Sequence, residues 1–190
     1  MVEVAFDEPV FTSSRQALVF AYRFTHGTMK RPFLASLMGG PKKPGRGLAG
    51  LDGAAQAGLI KAEVGKLGPL RRFILTARYA PQTVVCECKS SCCMGYTLNP
   101  EWAEAVEWLT DHALRAGLVG TISHYRLRRA LVVRFFGDDV SMVKVAQHCN
   151  VHRDTVSDHY KRVSTHFGGE ERVAQGEIDG ALHVAGVVGS

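Results

Sequence analysis

No apolar run approaches the roughly 18 consecutive residues that a membrane-spanning helix requires, so nothing in the chain reads as a transmembrane segment. The opening MVEVAFDEPV carries acids where a secretion signal carries bases. Together these absences predict a cytoplasmic protein with no membrane partner. Catalytic signatures are missing too: Gly50-Leu51-Asp52-Gly53 lacks the Lys-Ser/Thr ending of a phosphate-binding loop, no H-E-x-x-H occurs, and the acids do not pair in an apolar setting. The expectation is a protein that is not an enzyme. An odd count of five cysteines argues against a disulfide framework. Period-two alternation is scarce, which leaves a mainly α, multi-helix fold with a C-terminal helix-turn-helix and a Cys-rich loop.

What is present is a core and an uneven charge. At 190 residues and 46% apolar content the chain can bury one ordinary core or two small ones. Residues 1–80 hold 12 bases and 5 acids, 81–120 hold 2 and 5, 121–167 hold 8 and 4, and 168–190 hold 1 and 4. Basic blocks suit a polyanion, because neutralising phosphate releases condensed counterions, but a solvated surface has the same composition.

Helical spacing over Ser14 to Thr25 places Leu18, Tyr22 and Phe24 together. A basic linker rich in Gly and Pro follows at about 39–48. Next, Leu51, Ala54, Ala55, Gly58, Leu59 and Ala62 predict a closely packed helix face. Gly68-Pro69 starts a helix that ends at Pro81, and Asn99-Pro100 opens another, with Trp102, Ala105, Val106, Leu109 and Ala113 on one face. Further helices are expected at 122–136, 141–149 and 152–167. The division that follows is a helical N-terminal region 1–120, a DNA-binding domain 121–167, and a flexible, Gly-rich tail 168–190.

VSMVKVAQHCNVHRDTVSDHYKRV, residues 140–163, meets the requirements of a helix-turn-helix. Ala146 is small enough for the crossing, Val145 and Cys149 anchor the first helix, and Asn150 tolerates the left-handed backbone of the turn. Val156, Tyr160, Val163 and Phe167 form an inward stripe, with His159 where an aliphatic residue is usual: either Tyr160 takes over part of that packing or His159 is a buried, hydrogen-bonded imidazole. Outward lie His152, Arg153, Asp154, Ser157, Asp158, Lys161 and Arg162, donors and acceptors suited to base edges and phosphates of double-stranded DNA. The plain alternative is the solvated side of a helical hairpin. The preceding helix, with Leu127, Leu131 and Phe135 on one face, offers Arg126, Arg128 and Arg129 as phosphate contacts.

The stretch RALVVRFFGDDVSMVKVAQHCNVHRDTVSDHYKRV resembles region 4 of bacterial sigma factors. It also resembles the sigma-like DNA-binding part of phage late-gene antitermination proteins of the Q type, through its aromatic-Gly step and Ala146 to Cys149 run. That resemblance implies a regulator in a bacterial host cell that binds DNA beside a late promoter and loads onto RNA polymerase. Residues 1–120 would then face the polymerase. Two other readings stay open: a small-terminase-like DNA packaging protein, and a nucleic-acid-processing enzyme targeted by a helix-turn-helix.

CECKSSCC places Cys86, Cys88, Cys92 and Cys93 within eight residues. Four thiolates can satisfy zinc, with three cysteines and a histidine such as His112 as a variant. The C-x-C and C-C spacings are tighter than a usual knuckle, so reduced unliganded thiols and a redox pair remain alternatives.

Overall fold

The computed structural model describes residues 10–25, 50–86, 88, 90–91, 93–118 and 124–189. The basic linker at 39–48 and Cys92 lie outside them. The fold is mainly α: α1 (Ser14–Thr25), α2 (Gly50–Lys66), α3 (Pro69–Tyr79), β1 (Thr83–Val85), β2 (Tyr96–Leu98), α4 (Pro100–Arg115), α5 (Tyr125–Phe135), α6 (Met142–Cys149) and α7 (Arg153–Val184). Among the described residues no helix is long and apolar enough to cross a membrane.

The chain divides into two compact units, which correct the expected boundaries at 120 and 167. One comprises Met1–Leu67, Tyr79–Asn99 and Gln175–Ser190; the other comprises Gly68–Arg78 and Pro100–Ala174. The tail expected to be flexible is instead the second half of α7, which contributes residues 153–174 to one unit and 175–184 to the other. The physical reason is that the apolar stripe does not stop at Phe167. Ala174, Ile178 and Leu182 continue it and are fully buried. Glycine disfavours a helix interior by about 1 kcal/mol, a cost at Gly168 and Gly169 that this burial offsets. The helix then ends in a Schellman turn: Val187 N–H reaches the Leu182 carbonyl, Gly186 N–H reaches that of His183, and Gly186 supplies the positive φ of 69°.

In the first unit, α1 packs on α2 around Leu18, Phe20, Ala21, Ile60 and Val64. Ser13 Oγ accepts from the Gln16 N–H and fixes the start of α1. The buried face of α2 is Gly53, Ala57, Ile60 and Val64; the expected face, Ala54, Ala55, Gly58, Leu59 and Ala62, is exposed. Both sets share helical spacing, and the branched residues Ile60 and Val64, which bury the most area, decide which one turns inward. Phe11 bridges to Val188, and Ser14, Gln175 and Asp179 form a hydrogen-bonded cluster that Tyr79 joins through Gln175.

In the second unit, α4 buries Trp102, Ala105, Val106, Leu109 and Ala113 as expected and packs against α5. Arg71 and Arg78 of α3 pair with Glu170 and Glu171 of α7, the latter pair at 2.6 Å. Aromatic rings run from Phe73 through Trp108, His112 and His166 to Phe167, Phe135 and Phe136.

Candidate functional site: a helix-turn-helix and a thiol hairpin

The join between α6 and α7 is built as the residue types dictate. Ser141 accepts from the Lys144 N–H and caps α6. Asn150 takes the left-handed conformation, φ 50° and ψ 48°, with its N–H on the Gln147 carbonyl, while Val151 N–H reaches the Ala146 carbonyl at 3.0 Å. Ala146 and Val145 are buried; Cys149 is half-buried. These bonds satisfy carbonyls that a helix end leaves without partners.

The start of α7 uses a less common cap. His152 Nδ1 accepts from the Asp154 N–H at 3.3 Å. With Nδ1 occupied as an acceptor, the neutral ring carries its proton on Nε2, which faces solvent as a donor. Arg153, Asp154, Asp158, Lys161 and Arg162 are exposed beside it and Ser157 is half-exposed, so the sequence-identified outer face is brought together as one surface. Lys161 lies 3.6 Å from Asp158 in an exposed pair, an interaction too weak to hold the ammonium against a competing phosphate.

Two assignments on the inner side change. His159 occupies the inward position that the sequence stripe gave to Tyr160: His159 is 7% exposed, while Tyr160 is half-exposed. Neither ring nitrogen of His159 has a hydrogen-bond partner among the described residues, so the ring is held by packing alone. Burial, and then the nearby Arg162, push its pKa below the usual histidine value, against the opposing pull of Asp158. Tyr160 instead receives the Arg134 guanidinium over its ring at 5.4 Å; Arg134 also donates to the Val140 carbonyl, tying the α5–α6 loop down.

Arg128, expected as a surface phosphate contact, is 5% exposed. It shares the inner face of α5 with Leu127, Leu131 and Val132, because Val132 lies four residues on. Its guanidinium sits 5.9 Å from the Tyr125 ring centroid, and its Nε and Nη1 meet no partner among the described residues. Phe135, expected inside, is half-exposed, whereas Phe136 is buried. Arg126 is exposed and Arg129 partly so; these two remain as candidate phosphate contacts on α5.

The second feature is in the other unit. β1 and β2 pair antiparallel, Thr83 with Leu98, Val84 with Thr97 and Val85 with Tyr96. Just beyond, Cys86 N–H bonds the Gly95 carbonyl at 2.9 Å. At the other end Asn99, fully buried, closes the hairpin through Nδ2 on the Pro81 carbonyl at 2.7 Å. The turn folds Cys86, Cys88 and Cys93 together, their Sγ atoms all within 4.8 Å of one another. Gly95 N–H donates to Cys93 Sγ at 3.3 Å, a bond that stabilises a thiolate. The Ser90 backbone, then the thiols of Cys86 and Cys93, hold Cys88 below the ordinary thiol value. For Cys93 the Gly95 N–H acts in the same direction, but the thiols of Cys88 and Cys86 outweigh it and the value rises.

Three thiols so placed can hold a metal ion. His112, the sequence alternative for a ligand, is engaged elsewhere: its Nε2 is 3.1 Å from that of His166. Sequence spacing missed this pair, since 54 residues separate its members and each histidine alone carries no signal.

No protein-family model, curated protein or solved structure matches this chain.

Proposed function

We propose that the chain is a sequence-specific DNA-binding transcription regulator of the phage antiterminator type, acting with RNA polymerase in the cytoplasm of a bacterial host cell. One observation carries the reading: a tight left-handed turn at Asn150 joins α6 to α7, Val156, Val163 and Phe167 of α7 are buried, and Arg153, Asp154, Asp158, Lys161 and Arg162 are left exposed on the opposite side. In this mechanism the start of α7 enters a major groove. Arg153 reads guanine, and His152 Nε2–H and Ser157 donate to base edges or phosphates. Asp154 accepts from cytosine N4. Arg126, Arg129, Lys161 and Arg162 neutralise phosphates and set the register. The polymerase contact falls to the other unit and follows from the family resemblance of the turn region.

The thiol hairpin is a zinc site in this reading. Cys86, Cys88 and Cys93 would supply three thiolates, with Cys92 as the sequence candidate for a fourth. The metal would supply structural cross-linking of the hairpin, and with Cys92 as the fourth ligand no position would be left open for catalysis.

Selection of random duplexes by the full-length chain tests the DNA reading. The expected result is enrichment of one sequence class, with an affinity that falls steeply as salt rises. Recovery of unselected sequence, or a salt-independent interaction, refutes it.

A further inference from the structure

His112 of α4 and His166 of α7 face each other with 3.1 Å between their Nε2 atoms. Their ring planes are only 19° apart, and the ring centroids are separated by 5.3 Å. The centroid separation exceeds the nitrogen separation by about two imidazole radii, so the Nε2 atoms point head-on at one another across almost coplanar rings. Two imidazoles that chelate one metal ion converge at an angle and bring their centroids closer. Head-on placement is instead the geometry of a single N–H···N hydrogen bond.

We infer that His112 and His166 form a one-proton latch between α4 and α7: one hydrogen is held between the two Nε2 atoms, and a second hydrogen there breaks the link. In the neutral pair one ring carries its proton on Nε2 and the other on Nδ1. Adding one proton leaves the bond in place, now donated by an imidazolium and strengthened by the charge. Adding a second puts two N–H groups nose to nose at 3.1 Å, where neither has an acceptor, and the rings must part.

The surroundings favour stopping at one added proton. Trp108 stacks on His112 from the side of α4, and Phe167 borders both rings. Among the described residues, the charged groups that act on His112 are Arg115 on α4, which also lies over Trp108, and Glu170 on α7, which is ion-paired at 3.2 Å to Arg71 of α3. Burial, then His166 and Arg115, lower the pKa of His112, while Glu170 opposes them. Glu170 is already shared with Arg71, and Arg115 adds a second cation, so no negative charge is left over for the pair and a second proton on it is disfavoured more than the first. The latch is independent of the DNA reading, although it fastens the helix whose start carries the proposed recognition face.

The test is a pH titration of the histidine ring nitrogens by NMR on the full chain labelled with nitrogen-15 at histidine. At pH 7.5 the expected result is one Nε2 of the pair bearing hydrogen and the other bare. On acidification one ring should take a proton before the other, the shared hydrogen staying in place through the first step. Two bare or two hydrogen-bearing Nε2 atoms at pH 7.5, or parallel protonation of both rings, overturn the latch. A double-mutant cycle of His112→Phe and His166→Phe supplies a second readout. The pair should contribute about three- to tenfold to the unfolding equilibrium at pH 7.5, and nothing favourable once both rings are protonated. Equal coupling at both extremes contradicts the inference.

Discussion

The helix-turn-helix and the thiol hairpin solve the same problem, a tight reversal of the chain, by different means. The helix pair has buried apolar residues on both helices, Val145, Ala146, Val156, Val163 and Phe167, the last against Phe135 and Phe136 of the preceding segment, and the turn satisfies its carbonyls with backbone donors. The hairpin has strands of three residues, and Val85, Met94, Tyr96 and Leu98 are all exposed. A two-stranded hairpin of that length is marginal by itself in water. What its loop has instead is three sulfur atoms at one point. The contrast teaches that one element owes its shape to apolar burial, whereas the other has, where a core would be, three thiols close enough to hold a metal ion.

The largest expected effect breaks the first half of that contrast. Phe167→Ala removes a fully buried ring and should destabilise the second unit by about 3–5 kcal/mol in urea unfolding; a loss below about 1 kcal/mol would show that the aromatic row is not a core. Chelation of zinc, or Cys88→Ser, should act on the other half alone. Amide exchange at 83–98 is expected to accelerate more than about tenfold while 142–163 keeps its protection. Unchanged exchange in the hairpin would remove the metal from the account.

Smaller effects probe the turn and the inner face. His159→Leu should stabilise by about 1–3 kcal/mol, because a buried imidazole with two unsatisfied nitrogens gives way to an aliphatic side chain. Its pH dependence has a definite sign. The folded value lies below the unfolded one of about 6.5, so between the two the unfolded chain binds more protons and stability falls as pH falls through that window. The contribution is fully present above about pH 6.5 and levels off below the folded value. His159→Leu should remove this part of the slope, and an unaltered slope would mean that the imidazole titrates alike in the folded and unfolded chain. The smallest effect is at the turn: Asn150→Ala should cost about 1–2 kcal/mol, the penalty of a left-handed residue with a Cβ, whereas Asn150→Gly should be near neutral.

The turn was legible because several residue types had to agree at fixed offsets, and Ser141, Ala146 and Asn150 did. The face of α2 was not, since a helix made of Ala and Gly all round carries almost no apolar phase; only Ile60 and Val64 mark it. Glycines at 168, 169, 176 and 180 disguised the end of α7, although Ala174, Ile178 and Leu182 kept the helical interval and Leu182 with Gly186 and Val187 marked its stop. Arg128 was misread for a different reason. Its charge suggested the surface, but its interval to Val132 and Phe136 places its long apolar stem inside. The convergence of Cys86, Cys88 and Cys93 was readable from proximity in the chain, while the pairing of His112 with His166 needed the packing of α4 against α7.

The central claim is that the outer face of α7 reads base pairs while α5 holds phosphate. Binding of the parent, Arg153→Ala and Arg129→Ala proteins to a selected duplex and to a scrambled one, across a salt series, addresses it most directly. Arg153→Ala should lose about 1–3 kcal/mol on the selected duplex and little on the scrambled one. Arg129→Ala should weaken both alike and reduce the salt slope by about 1. If both variants bind both duplexes as the parent does, this surface does not contact DNA.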